Sequence, residues 1–302
     1  MRPSEPLTEI LNMFVAVIFI PVVAANAFTE SSSMRVPEIS ERSMPLKTYM
    51  IFDPCNINKP GNRTVSCAQL RRMGYNITKD YVISPHTNFY VSCDMDTDGG
   101  GWTIIQRRSW DEEGEDKFEK SEKEYEKGFY GGVSSYWIGN ENIHALTSHP
   151  SNEQALRIEL TKQNNKRIIV NYGKFKVGSK NDGYMLTYQD YWSPNGTEYD
   201  GLAFHNRTKF SVMKQNDRVD SCSKSRRSGG WWYPPFGCLF SNLNGRKFKN
   251  RVPKNNMGHA ITWYKRGDMS SFQNVYESVE MKVRDADYKF CTGKMATMFS
   301  YT

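Results

Sequence analysis

Three alternating aspartates, Asp94, Asp96 and Asp98, are followed at once by Gly99 and are the residues best spaced to hold a metal ion. Their spacing matches the start of an EF-hand calcium loop, whose twelfth position supplies a bidentate glutamate. In this chain the twelfth position is Ile105, which offers no ligand atom. The run therefore predicts a polar turn between two strands rather than a calcium site.

Motifs that would carry catalysis are missing from the sequence. It contains no G-x-S-x-G, no H-E-x-x-H and no phosphate-binding loop. His144 has no acid or thiol partner that the sequence places beside it, so we predict a packing or surface role for it. The sequence thus predicts a protein that is not an enzyme and needs no cofactor.

Six cysteines follow the N-terminal apolar segment, at Cys55, Cys67, Cys93, Cys222, Cys238 and Cys291. An even number in an exported chain indicates disulfide bonds. A zinc site is not expected, because the chain has no C-x-x-C pair and no histidine near enough to complete one. Spacing alone leaves the pairing open.

The N-terminus is typical of export. Leu11–Ala25 is mostly apolar, and Ala25-Asn26-Ala27 fits the small-x-small cleavage rule, so residues 1–27 are predicted to be a signal peptide. The alternative is an uncleaved anchor, although the run is shorter than the roughly 20 residues of a spanning helix. Four Asn-x-Ser/Thr sequons agree with a secreted, extracellular glycoprotein. They begin at Asn62, Asn76, Asn195 and Asn206.

Residues 28–63 are polar and interrupted by prolines, which predicts a linker or stalk. This segment contains neither Gly-x-y repeats nor heptads, so it predicts no collagen stem and no coiled coil. A homo-oligomer, disulfide-linked or non-covalent, therefore stays open.

The charge of the chain is mildly basic, with a formal net charge of +7 over 302 residues. No Lys/Arg run has the density of a nucleic-acid-binding arm, so no nucleic-acid partner is predicted. Seven basic residues nevertheless cluster in the C-terminal third, at Arg226, Arg227, Arg246, Lys247, Lys249, Arg251 and Lys254. They indicate either a solubilising surface or a site for an acidic partner, such as a sulfated or sialylated glycan or an acidic protein face.

Short β-type segments dominate the rest of the chain, and 13% of the residues are aromatic. The predicted strands are 81–83, 89–91, 103–105, 155–160, 167–172, 174–177, 184–188 and 276–284. Alternation in 155–160 predicts one buried face. Short helices are predicted at 66–73, capped by Ser66, and at 142–148, and the charged segment 109–127 is predicted to be a solvated surface.

Several motifs in the same order resemble the fibrinogen-related family, the globular domain that ends fibrinogen chains, ficolins, tachylectins, tenascins and angiopoietins. They are C-D-M-D-T-D-G-G-G-W-T-I-I-Q-R-R, Y-W-I-G-N-E-N-I-H, G-G-W-W-Y, S-N-L-N-G and E-S-V-E-M-K-V-R. The resemblance runs from about Thr64 to Arg284. It implies an α+β fold, with a twisted antiparallel sheet, few short helices and an irregular C-terminal binding subdomain. The implied domain spans 64–291, followed by a tail at 292–302.

The resemblance also implies disulfide pairs. Cys67 would bond to Cys93 in the N-terminal subdomain, and Cys222 to Cys238 in the C-terminal region. Cys55 and Cys291 flank the domain, and they either bond to each other, which we favour, or each links to another chain.

In the acetyl-recognising lectins of the family, a histidine and a Tyr-Ala pair line the acetyl pocket. The matching positions here are Leu239 and Met257-Gly258, so the resemblance implies a scaffold that is kept and an acetyl-binding chemistry that is lost. The Trp-Trp-Tyr run could stack on a sugar or build the pocket floor and core. The ligand-binding candidates are Trp231, Trp232, Tyr233, Leu239, Met257, Gly258 and His259.

The family's calcium loop falls on a segment that departs from the pattern. Its side-chain ligands would become Asn216 and Arg218, and a guanidinium beside the ion repels it. Asp217 or Asp220 would compensate only after a shift of register. We therefore expect no bound calcium.

Three classes of function compete. The first is a secreted recognition protein that binds a glycan, a microbial surface or a cell-surface partner through its C-terminal loops. The alternative is a receptor ligand or matrix protein of angiopoietin or tenascin type that acts by protein contact. An enzyme is the third, and the sequence offers it no motif.

Overall fold

Among the described residues, the α-helices have only six to eight residues, whereas the strands range from two to eleven. The structure, a computed structural model, describes residues 65–148, 153–194, 196, 198–212, 228–235 and 239–288. Its α-helices are α1 (Cys67–Arg72), α2 (Glu122–Lys127) and α3 (Asn140–Thr147). Its strands are β1 (Lys79–Ile83), β2 (Phe89–Asp94), β3 (Trp102–Arg108), β4 (Phe129–Tyr130), β5 (Tyr136–Trp137), β6 (Gln154–Lys162), β7 (Arg167–Val177), β8 (Leu186–Trp192), β9 (Ser211–Val212), β10 (Gly230–Trp231) and β11 (Tyr276–Asp285). Short 3₁₀ turns lie at Thr97–Gly99, Lys254–Asn256 and Met269–Gln273. None of the described helices has the length and hydrophobicity that a membrane span requires.

One antiparallel sheet has the order β1-β2-β3-β11-β6-β7-β8, and β4 and β5 join it beside β3. The last strand, β11, lies between β3 and β6 and pairs with both. The C-terminal strand is therefore central to the sheet, and the C-terminal loops return to the β3 region. A second, two-stranded sheet pairs β9 with β10. The predicted fold class, an antiparallel sheet with few short helices, is confirmed.

The β2–β3 hairpin follows its prediction. Cys93 lies opposite Thr103, and Cys67 of α1 forms a disulfide with Cys93, as the resemblance implied. Gly100 in the turn has φ +80°, and a Cβ there would lie 2.1 Å from the carbonyl oxygen of Met95. Only glycine fits this position.

Helix α1 begins and ends as its sequence predicts. The Oγ of Ser66 accepts a hydrogen bond from the backbone N–H of Gln69, and Gly74 with φ +95° follows the last turn. The second predicted helix also forms, although α3 starts two residues earlier, at Asn140. On it, His144 Nδ1 donates to the carbonyl oxygen of Val177 at 2.9 Å, a contact that packs α3 against β7.

Three of the predicted strands were wrong in their bounds. The segments 167–172 and 174–177 form one strand, β7, in which the register of pairing with β8 shifts next to Gly173 and Lys174 has φ +47°. The strand predicted at 184–188 instead runs as Leu186–Trp192, because Tyr184 has φ +49° and cannot continue a strand.

The prediction of a solvated surface for 109–127 was wrong for two of its three aromatic residues, whereas Trp110 is exposed as predicted. Phe118 and Tyr125 are fully buried, and Glu112 is buried as well. The single buried face predicted for 155–160 was also wrong. Arg157 and Glu159 on the other face of β6 are covered too, since their charges pair with each other at 2.5 Å.

Candidate functional site

Side chains of strand β3 form hydrogen bonds with a C-terminal loop. Gln106 Nε2 donates to the carbonyl oxygen of Leu243 at 3.0 Å and to Asn244 Oδ1 at 3.2 Å. Arg108 Nη1 donates to the carbonyl oxygen of Gly245 at 2.6 Å. Both side chains are buried, so the β2–β3 signature positions a loop that follows it by about 135 residues.

The S-N-L-N-G motif in turn holds strand β10. Asn242 Nδ2 donates to the carbonyl oxygen of Ser228 at 2.8 Å, and Asn244 Nδ2 donates to that of Gly230 at 2.9 Å. The Tyr233 hydroxyl donates to Ser228 O at 2.7 Å and accepts from Asn242 Nδ2 at 3.0 Å. These asparagines therefore serve the backbone rather than an external ligand.

The two tryptophans of the Trp-Trp-Tyr run form the floor of this region. Trp231 and Trp232 are fully buried and contact each other edge to face at 5.1 Å. Trp232 Nε1 donates to the carbonyl oxygen of Tyr184 at 2.7 Å. Their faces are covered by protein, which is the second of the two roles that the sequence allowed.

His205 is buried against the same two tryptophans. Its Nδ1 donates to the carbonyl oxygen of Trp232 at 2.7 Å, and its ring packs edge to face on Trp231. Burial lowers the pKa of His205 to about 4, so its imidazole is neutral at physiological pH. Sequence reasoning did not single out this residue.

The remaining ligand-binding candidates lie at the partly exposed rim of this C-terminal region. Leu239, Met257, Gly258 and His259 are half-buried, and Met257 follows the 3₁₀ turn at Lys254–Asn256. The carbonyl oxygen of His259 accepts from the backbone N–H of Arg246 at 2.6 Å. Backbone pairing between Asn242 and Thr262 joins the two rim segments. The side chains of Leu239 and Met257 carry no hydrogen-bond donor for an acetyl oxygen.

The predicted calcium-loop residues Asn216, Asp217, Arg218 and Asp220 lie outside the described residues, as do Cys55, Cys222, Cys238 and Cys291. Within the described ranges, no group of three or more His, Cys, Asp and Glu side chains is placed to hold a metal ion.

The aspartate run of the β2–β3 signature, from Asp94 to Asp98, forms a turn. Asp94 Oδ1 accepts from the backbone N–H groups of Asp96 and Thr97, at 3.0 and 2.9 Å, and Oδ2 accepts from Lys282 Nζ at 2.8 Å. Arg284 Nη1 donates to the carbonyl oxygen of Asp98 at 2.9 Å. These contacts give the carboxylate of Asp94 a structural role.

Part of the predicted basic cluster is used inside the fold. Arg246 pairs with Glu119 at 2.6 Å, and Lys247 is buried, with Nζ donating to the carbonyl oxygen of Tyr276 at 3.0 Å. Burial, with the charge of Arg108 beside it, lowers the pKa of Lys247 to about 8. Arg226 and Arg227 lie outside the described residues.

The other three basic residues of the cluster, Lys249, Arg251 and Lys254, are exposed. They occupy the loop that joins the S-N-L-N-G motif to the rim. Gln163 Nε2 donates to the carbonyl oxygen of Lys249, so this loop touches the turn between β6 and β7. No short-range sequence pattern connects residues so far apart, so this contact between the loop and the turn could not be predicted.

The family of the chain follows from comparison with known proteins. The family described as "Fibrinogen beta and gamma chains, C-terminal globular domain" matches residues 63–286. The chain belongs to this family, as the motifs predicted.

Among sequence relatives, the chain is 35% identical over 230 residues to angiopoietin-related protein 7 of Homo sapiens. The match covers 74% of this chain and 62% of that protein. It is also 39% identical over 162 residues to fibrinogen-like protein A of Apostichopus parvimensis, covering 52% and 54%. The chain therefore spans less than two thirds of the length of the angiopoietin-related protein that it matches.

Solved structures show the same fold. The fibrinogen-like globe domain of human ANGPTL2 matches with a TM-score of 0.63 and 26% identity, over 73% of this chain and 98% of that one. Lamprey fibrin D-dimer, complexed with the peptide Gly-His-Arg-Pro-amide, matches with a TM-score of 0.60 and 23% identity, over 93% and 86%. The second likeness concerns the fold alone.

Proposed function

We propose that this chain is an exported recognition protein of fibrinogen-like, angiopoietin-related type. It binds a protein partner on a cell surface or in the extracellular matrix through its C-terminal loops, and it performs no chemistry on that partner. The N-terminal segment 1–27, the sequons and the Cys67–Cys93 disulfide support export. Its proposed organisation is a signal peptide (1–27), a linker (28–63), one globular domain (64–291) and a tail (292–302).

The main support for this proposal is that the polar and aromatic side chains of the C-terminal region contact the protein itself. Asn242 and Asn244 bond the backbone of the strand beside them, while Trp231 and Trp232 are covered. A sugar site needs placed polar groups in a concave pocket. The described residues at the acetyl-pocket positions supply none, since Leu239 and Met257 are apolar.

What this region does expose is a basic loop. Lys249, Arg251 and Lys254 project from it, and charged rims of this kind steer association and fix the register of protein complexes. A partner with an acidic face is therefore favoured over a neutral, acetylated sugar.

The test uses the full chain secreted from cultured cells, with binding to a panel of cell lines measured as a function of concentration. Saturable binding is expected. We expect R251E/K254E to weaken it about tenfold or more, because two reversed charges repel an acidic face. The matched control is K123E/K176E, which changes the charge equally at exposed lysines on α2 and β7.

A glycan array, with and without a chelator, separates protein contact from sugar recognition. Binding to N-acetylated sugars that the chelator blocks would contradict the proposal. Equal weakening by the two double variants would contradict the role of the basic loop.

A further inference from the structure

A polar cleft of about 240 Å³ lies beside the turn between β6 and β7, facing the loop that precedes β11. Three lysines from two distant segments line it, namely Lys162, Lys166 and Lys265. Glu198 and Asp268 also line it. We call this site the lysine cleft.

Three lysines and only two carboxylates line the cleft, so its carboxylates do not fully balance its ammonium groups. Lys162 Nζ donates to the neutral Oδ1 of Asn274 at 3.0 Å, and none of the three lysines forms an ion pair among the described residues. Asp268 is turned toward its own 3₁₀ segment, where Oδ1 accepts from the N–H of Ser270 at 2.9 Å and from its hydroxyl at 2.6 Å. The cleft therefore has an excess of positive charge.

Two of the lysines, Lys162 and Lys166, also repel each other. Burial and then the charge of Lys166 lower the pKa of Lys162, and the carboxylates of Glu198 and Asp268 offset this only in part. An anion seated between the ammonium groups would relieve that repulsion. Three ammonium groups that line one cleft suit an oxyanion with several equivalent oxygens, such as a sulfate or phosphate ester.

The surroundings indicate a chain-like ligand rather than a single ion. Gln163, within the same turn, donates to the carbonyl oxygen of Lys249, which is exposed at the start of the basic loop. The turn that carries Lys162 and Lys166 therefore touches the loop that carries Lys249, Arg251 and Lys254. A polyanion could place one charged group in the cleft and others along the loop.

We propose that the lysine cleft binds a sulfate group of a sulfated polysaccharide. The choice of sulfate over phosphate rests on the export of the chain, which is part of the proposed function, because sulfated polysaccharides are polyanions of the extracellular space. The site itself rests on the cleft and its three lysines.

The experiment is cell-free, so its outcome does not depend on a protein partner. Calorimetry measures binding of a heparin octasaccharide to the full chain at two salt concentrations. We expect K166E/K265E to lower affinity about tenfold or more, and the charge-matched K123E/K176E to lower it less than about twofold. Thermal unfolding checks that both variants fold.

A third variant tests the cleft in the opposite direction. E198Q removes a carboxylate that lines it, so we expect tighter binding and a steeper dependence on salt. R251E/K254E should weaken the octasaccharide less than K166E/K265E does, because the loop is peripheral to the cleft.

Three ligands of different chemistry test whether the cleft recognises sulfate. Fully desulfated heparin should bind at least about tenfold more weakly than the sulfated form. Equal binding of the two, or equal losses in K166E/K265E and its control, would overturn the proposal. Inositol hexakisphosphate that binds more tightly than heparin, in a manner that depends on Lys166 and Lys265, would overturn the assignment to sulfate. Cell binding that persists when heparin binding fails would leave the proposed function standing.

Discussion

Arg108 and Glu112 form a bidentate ion pair that is fully buried, with Arg108 Nε and Nη2 donating to the carboxylate at 2.9 and 2.6 Å. The guanidinium also lies 3.9 Å from the ring centre of Phe118 and bonds the carbonyl oxygen of Gly245. This pair ties the end of β3, the charged segment after it and the C-terminal loop to one another. Loss of this ion pair should therefore destabilise all three segments.

We expect Glu112→Ala to lower the free energy of unfolding by about 3 kcal/mol, because it leaves the guanidinium buried without its counter-ion. Replacing both partners, as in R108M/E112L, should recover part of that loss, since neither partner is then left as an unpaired buried charge. Urea denaturation followed by tryptophan fluorescence measures both variants. A Glu112→Ala protein as stable as the wild type would show that the pair does not hold the loop.

A second expectation concerns low pH and the turn between β2 and β3. Burial alone would raise the pKa of Asp94, but the ammonium of Lys282 and the hydrogen bonds from Thr97 outweigh it and hold that pKa well below its ordinary value. A depressed pKa in the folded state stabilises the protein above the unfolded-state value of about 4. This contribution is lost as the pH falls below about 4 toward the folded-state pKa.

The variant that isolates this contribution is Asp94→Asn, which keeps the size of the side chain. It should be less stable than the wild type at neutral pH, and the difference should shrink steadily as the pH falls below about 4. Unfolding free energies measured by urea titration at a series of pH values provide the comparison. A difference that stays constant down to about pH 2.5 would refute the linkage.

Local sequence signals predicted the N-terminal part of the fold well. Ser66 and Gly74 mark the ends of α1 because capping and positive φ depend on a few neighbouring residues. The hairpin around Gly100 was equally readable, since its glycines and alternating polar residues specify a tight turn. The family motifs then extended the prediction to the sheet as a whole.

Predictions of which side chains are exposed failed where burial depends on residues far away in the sequence. Segment 109–127 looks solvated because acids and lysines dominate it, yet Glu112 is buried by Arg108, and Tyr125 is buried with its hydroxyl bonded to the carbonyl oxygen of Phe118. The lysine cleft was invisible for a similar reason. Lys162 and Lys265 are more than a hundred positions apart, and only the placement of β6 beside β11 brings their segments together.

Of the four predicted sequon asparagines, Asn62 and Asn195 lie outside the described residues, and the other two differ in their contacts. Asn76 is exposed in the segment between α1 and β1. Asn206 is half-buried, and its amide bonds the backbone of Tyr188 on both sides, accepting from the N–H at 3.3 Å and donating to the carbonyl oxygen at 3.2 Å. A glycan on Asn206 would have to leave through packed surface, whereas one on Asn76 would extend into solvent.

We therefore expect Asn76 to carry a glycan in the secreted protein and Asn206 to carry none. Mass spectrometry of peptides treated with a glycosidase in heavy-oxygen water measures the occupancy of each site. Asn76→Gln should increase gel mobility without changing stability, while Asn206→Ala should lower the free energy of unfolding by about 1–3 kcal/mol, because it leaves backbone groups of Tyr188 without their partner. High occupancy at Asn206 would mean that the Tyr188 contacts are dispensable, and the packing of this loop against β8 would then have to be looser than the distances indicate.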